Sequence, residues 1–205
     1  MSAATPFDTL ALAETRAWVD RAVIGLNLCP FAKAPQVKGL VRYVVSEASD
    51  PEALLAALVD ELNRLAQAPA ERVETTLLIH PQALTDFADY NDFLAVAESA
   101  VAEMGLEGVI QVASFHPQYR FAGSAQDDVS NATNRSPYPT LHLLREDSID
   151  GAAIAFPQGE AIFEANIATL QRLGVEGWAA LQRQCRDDAV AADSTVTPPM
   201  SSKSR

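Results

Sequence analysis

The chain has 205 residues, 48% of them hydrophobic, which is enough apolar surface for one sizeable core and sits near the upper end of what a single domain holds. Its 27 acidic residues against 15 basic ones give a formal net charge of -12, which repels phosphate backbones and anionic lipid and argues against nucleic-acid and membrane-surface roles. Cys29 and Cys185 make no disulfide framework, no run approaches the roughly 20 apolar residues of a bilayer span, and the first residues lack a signal peptide's basic start, so a cytoplasmic protein is expected.

Helical spacing of Leu12, Val19, Val23 and Leu26, with Trp18 beside them, predicts a first helix from about Asp8 to Leu26. Gly25 and Asn27 weaken its end, and Pro30 forces Cys29 onto an extended connection. Leu40 to Val45 is β-branched and aromatic and reads as a strand. Asp50-Pro51-Glu52 then supplies a carboxylate cap, a proline at the first helical position and an acid in the first turn. Leu54, Leu58, Leu62 and Leu65 form the buried stripe of that helix.

Thr75 to His80 is uniformly apolar through its centre, as suits a strand covered on both faces, and Pro81 ends it. A helix around Phe87 to Met104 follows, with Tyr90, Leu94, Ala97 and Val101 on one side and Gly105 as its stop. Asp86 is placed to cap it. Val109 to Phe115 makes a third strand, and after a long polar segment Thr140 to Arg145 makes a fourth. A short helix is expected from Ser148 to Ala155, then one from Glu160 to Leu173, closed by Gly174, and a last one from Val175 to Arg186.

This order predicts an α/β fold with a mixed sheet of about four strands flanked by helices. The first three strands, joined through helices, are expected to be parallel. The fourth lacks a preceding helix and is expected to be antiparallel, as an edge or partner strand. Residues 1–188 make one domain, and the small polar residues of 189–205 read as a disordered tail.

The three histidines are the main chemical clue. His80 and His116 end strands expected to be parallel, at the edge where open α/β sheets bind ligands. An antiparallel fourth strand would start at that edge and bring His142 to join them. Three convergent imidazoles suit a divalent metal such as zinc or iron, with Asp86, Asp89 or Asp127 adding a carboxylate, or equally a metal-free acid/base set. Against this stands the plainer use of His-Pro as a strand terminator, and there is no fixed ligand spacing of the HExxH or CxxC kind.

The segment from Pro117 to Pro139 lacks apolar periodicity, apart from a short turn at Asp127 to Asn131, and is longer than structureless connections in compact domains usually are. Its ring anchors Tyr119, Phe121 and Tyr138 mark it as a packed, functional loop. Within it, Tyr119, Asn131, Asn134 and Arg135 are candidate substrate-binding residues, the last two offering amide and fork donors to a small anionic molecule. The structural alternative is that Asn134 caps a turn and Arg135 pairs with Asp127 or Asp128. Cys29, past a helix C-terminus, is expected to have a raised pKa and to serve as a small buried hydrophobe. Arg145-Glu146 reads as a structural ion pair. Dinucleotide, P-loop and α/β-hydrolase fingerprints are lacking.

The segments VIGLNLCPFAKA, ETTLLIHP, DYNDFL, QVASFHPQY and NRSPYPTLHLLRE resemble a family of uncharacterised, mainly bacterial proteins, domain of unknown function fourteen-fifteen. The likeness covers about Trp18 to Trp178 and carries no activity, cofactor or site. The residues themselves point to a small-molecule enzyme, a hydrolase or group transferase with or without a divalent metal. Its catalytic set would be His80, His116, His142 and Asp127, at the C-terminal sheet edge. The rival is a non-catalytic binding or assembly module, whose Tyr- and Arg-bearing loop packs on a basic protein partner.

Overall fold

Leu54, Leu58, Leu62 and Leu65 recur every three or four residues, which stacks them along one side of a helix, and none exposes any surface. That helix, α3 (Pro51–Gln67), begins where the sequence says it should, with the Asp50 carboxylate accepting the Ala53 N–H at 2.8 Å. The computed structural model describes residues 6–149 and 159–196. Preceding α3 are α1 (Pro6–Trp18), the single-turn α2 (Lys33–Val37) and strand β1 (Val41–Val45). The periodicity gave no sign of α2.

Strand β2 (Thr75–Ile79) is buried at every residue, as its uniform apolar centre requires. It pairs in parallel with β1, Val41 opposite Thr75 and Val45 opposite Ile79, with α3 as the crossover. Helix α4 (Phe87–Glu103) follows, its first amides at Ala88 and Asp89 capped by Asp86. It leads to β3 (Ile110–Phe115). Strand β4 (Thr140–Arg145) then enters between β2 and β3, antiparallel to both, so the sheet order is β1-β2-β4-β3.

The expectation of three parallel strands is thus corrected: only β1 and β2 pair in parallel. β3 points the same way as those two, but its crossover sets it one place too far to touch β2. The segment after Pro117 brings the chain back into the gap. The antiparallel sense expected for β4 is found, in the sheet interior and not at an edge, and its buried Thr140, Leu141 and Leu143 fit that place.

Strand alternation divides the core in two. Leu78, Leu141, Leu143 and Ile110 pack with α3 and α4, while Leu77, Tyr43 and Phe115 turn to the side of α1 and α5 (Gly159–Val196). Within α5 the helix breaks at Gly174, whose φ of 69° and ψ of 173° suit only glycine. Its two halves are the two helices expected there. The second half continues to Val196 and buries Ala189, beyond the boundary after Asp188 that composition implied. Of the short helix expected from Ser148, residues 148 and 149 are helical and the rest lies outside the described residues. Among those described, no helix is long and apolar enough to cross a membrane.

The helix expected from Asp8 to Leu26 keeps α geometry only to Trp18. Val19–Ile24 is π-helical, with the Gly25 N–H reaching back five residues to the Asp20 carbonyl at 3.0 Å. Such widened turns are rare and recur beside functional sites.

Candidate functional site

His80 and His116 stand one residue past β2 and β3, fully buried, on the α4 face of the sheet. The Tyr90 ring lies between them, 5.8 Å from His80 and 5.0 Å from His116, centroid to centroid. Each imidazole holds a carbonyl of the turn that follows β2. Nδ1–H of His80 donates to Ala83 at 2.9 Å. The Gln118 N–H donates to Nδ1 of His116 at 3.0 Å, so its Nε2–H is the donor to Leu84 at 3.2 Å. Leu84 has a φ of 53°, a conformation that a branched side chain adopts only when held. Burial pushes the His80 pKa down to about 4 and lowers that of His116. Both rings are therefore neutral clamps on a strained turn. Nε2 of His80 is buried without a partner among the described residues.

His142 does not join them. It lies two residues beyond Thr140, which pairs with Ile79 and Phe115, whereas His80 and His116 each follow those partners by one. Strand alternation sends an even offset and an odd offset to opposite faces. The antiparallel β4 does bring its start to the expected edge, but the expected convergence of three imidazoles fails on parity. Among the described residues, no group of three or more His, Cys, Asp or Glu is placed to hold a metal. Asp127 is exposed on the loop.

The loop from Pro117 to Pro139 is packed, around a 3-10 turn at Val129–Asn134. Its polar side chains are occupied by its own backbone and its neighbours. The fully buried Asn131 accepts the Phe121 N–H at 3.0 Å and the Ser124 hydroxyl at 2.8 Å, and donates to Ala125 at 2.8 Å. Asn134 donates to Ser114 at 3.0 Å. Arg135 donates to the carbonyls of Tyr119 and Gln126. A cavity of about 230 Å³ beneath the loop brings Arg135 and Arg186 near Glu14, whose carboxylate already accepts the Tyr138 hydroxyl at 2.9 Å. An anion there would meet a buried carboxylate. Tyr119 stacks edge-on with Phe87 and Phe121. The expected Arg145-Glu146 pair is replaced by Arg145 capping the carbonyls of Leu65, Ala68 and Val73.

The face that carries His142 holds a larger cavity, of about 360 Å³. Val41, Leu77, Ala113, Phe115 and His142 form its floor; Trp18, Val19 and Val23 of the widened turn, with Cys29 and Phe31, form its roof. Within it the polar contacts are few and defined. The Thr75 hydroxyl donates to the Leu143 carbonyl at 2.7 Å, so the 2.6 Å contact between Thr75 and His142 must have Nε2–H of the ring as donor. Nδ1 is left as an acceptor with no partner among the described residues. Burial pushes the His142 pKa down to about 4, and the ring is neutral. The indole N–H of Trp18 is buried without an acceptor among the described residues. The Cys29 thiol is raised by burial, against the lowering effect of the Phe31 and Ala32 backbone N–H groups that face it. Burial, and not the helix dipole, is thus the first cause of the shift expected for that cysteine.

Sequence reasoning missed Trp18, Thr75 and, His142 apart, the floor of this cavity. The alternation of β4 held the signal, since it separates His142 from the other histidines once the strand is aligned on Ile79 and Phe115.

Fold and cavity together define an α/β domain with an apolar site roofed by a π-helical turn. The chain belongs to the family described as protein of unknown function (DUF1415), matched over residues 10–180, a span that takes in every residue lining the cavity. No curated protein and no solved structure matches it.

Proposed function

We propose that this protein binds a small, largely apolar molecule in the cavity between the π-helical turn and the sheet, with His142 as the polar contact. The observation that carries this reading is the combination of volume and an unused acceptor. About 360 Å³ lies within the range of small-molecule sites, and an imidazole nitrogen without a partner in an apolar wall is where such sites fix orientation. The roof adds support, because π-helical turns are rare and recur at functional sites.

The enzyme reading, hydrolysis or group transfer at the histidines, has less support in this geometry. His80 and His116 are clamped to backbone carbonyls, and a ring held near pKa 4, as His142 is, makes a weak base at neutral pH. Binding needs only the neutral ring that burial enforces.

The test is a thermal-shift and ligand-observed NMR screen of small aromatic fragments against the wild type and Ala113→Leu. Ala113 is on the cavity floor, and a leucine there fills the void without touching the histidine clamps. Fragments should raise the wild-type Tm, as any ligand selective for the native state does, and lose their effect in the variant. Equal binding to both proteins would place the ligand elsewhere.

A further inference from the structure

We infer that the ligand of this cavity is a neutral, planar molecule of one or two rings carrying one hydrogen-bond donor, such as a phenolic hydroxyl or a ring N–H, and that carboxylates and phosphates are excluded. The inference rests on the cavity being the binding site and names what it selects. The acceptor comes first. The Thr75 hydroxyl accepts Nε2–H and donates its own hydrogen bond to the Leu143 carbonyl, which fixes the His142 tautomer and leaves Nδ1 able only to accept. A ligand acceptor placed there would meet a lone pair, and burying two facing acceptors costs more than leaving either in water.

Charge is the second argument. Of the described residues lining the cavity, Arg145 is the one cation, and its guanidinium is bound to the carbonyls of Leu65, Ala68 and Val73. Glu74 lines the same cavity with a negative charge. An anion would thus be desolvated among apolar walls with no free cation beside it among the described residues, and the unpartnered N–H of Trp18 is itself buried out of the open space, which makes the anion far costlier to bury than a neutral hydroxyl. Shape is the third. The rings of Trp18, Phe31 and Phe115 border the space, and Trp18 and Phe115 meet edge to face at 5.3 Å, the arrangement that leaves flat faces for a further ring.

Three probes of matched size separate the possibilities: 2-naphthol, 2-methoxynaphthalene and 2-naphthoate, titrated by calorimetry into the wild type and His142→Leu. Naphthol should bind wild type about tenfold more tightly than the methoxy compound, the size of one hydrogen bond, and naphthoate should bind at least as poorly as the methoxy compound. In His142→Leu the naphthol advantage should vanish while the methoxy compound keeps its affinity. Should that variant not fold, the wild-type side-chain nitrogen shift of His142 gives the same answer, moving at Nδ1 with naphthol and staying put with the methoxy compound. Naphthoate binding as tightly as naphthol, or a naphthol advantage that survives loss of the imidazole, would overturn the donor rule and leave the binding site standing. If none of the three binds, the cavity is not the site, and both readings fall.

Discussion

Cys29 illustrates how a single side chain can be chemically quiet and still informative. Its thiol lines the cavity, and burial holds its pKa above the ordinary value even though the amides of Phe31 and Ala32 face it. The thiolate is the reactive form, so at neutral pH this cysteine should alkylate more slowly than a free thiol. Iodoacetamide labelling of the Cys185→Ser variant at pH 7.5, followed by mass spectrometry, should give a rate below that of free cysteine. A bound aromatic fragment should slow it further. A rate above that of free cysteine would mean that the amides outweigh burial, and would return Cys29 to the list of nucleophiles. The sequence led to the right direction for this group through the wrong cause. Past a helix end it pointed to the dipole, whereas the enclosing roof that dominates is made by residues distant in the chain.

Among the elements, the loop from Pro117 to Pro139 is legible in the sequence as a unit, whereas the direction its polar side chains face is not. Its length and ring anchors mark it as packed, and it is. Its donors, however, face inward, because a long connection laid over a sheet edge must satisfy its own backbone before it can offer anything to a ligand. Asn131 makes the point quantitatively. Replacing it with alanine removes three hydrogen bonds from a fully buried amide and strands the Phe121 N–H and the Ala125 carbonyl. Asn131→Ala should cost about 2–4 kcal/mol of stability by urea denaturation, since each stranded buried group costs about 1–3 kcal/mol. Affinity for aromatic fragments should stay within about twofold, because the side chain acts on the loop. Loss of binding with unchanged stability would restore its substrate-binding role. Helix caps, the Gly174 break and all four strands could be read from local patterns, because those features depend on neighbours in the sequence. The insertion of β4 between β2 and β3 depends on where a crossover lands, which no local pattern records.

For the molecule as a whole, the three histidines shared out between two faces of one sheet make stability a function of pH. His80 and His142 have pKa values near 4, and His116 is also lowered. In the unfolded chain all three titrate near the ordinary value of about 6.5. Below that pH the unfolded chain takes up protons that the native state refuses, so stability falls as pH drops from about 6.5 toward 4 and is fully present above 6.5. Asp128 and Asp188, whose lowered pKa values come from hydrogen bonds to Ser130 and Arg21, act in a separate window, below their ordinary value near 4. The net charge of -12 works the other way on acidification, by relieving self-repulsion, but that relief belongs to the range below about pH 5 where free carboxylates take up protons. Between pH 7.5 and 5.0 the histidines therefore decide the sign. His80, with none of its surface exposed, should account for about 2 kcal/mol of the loss at pH 5.0. Urea denaturation of the wild type and His80→Phe at the two pH values checks this. The variant keeps an aromatic ring against Tyr90, loses the bond to Ala83, and so should start less stable at pH 7.5 yet fall by about 2 kcal/mol less on acidification. An unchanged fall would mean that His80 takes up its proton in the native protein as readily as in the unfolded chain. Its unpartnered Nε2 would then be a donor to an acceptor held in that cluster, and the clamp would have to be counted as a second binding site.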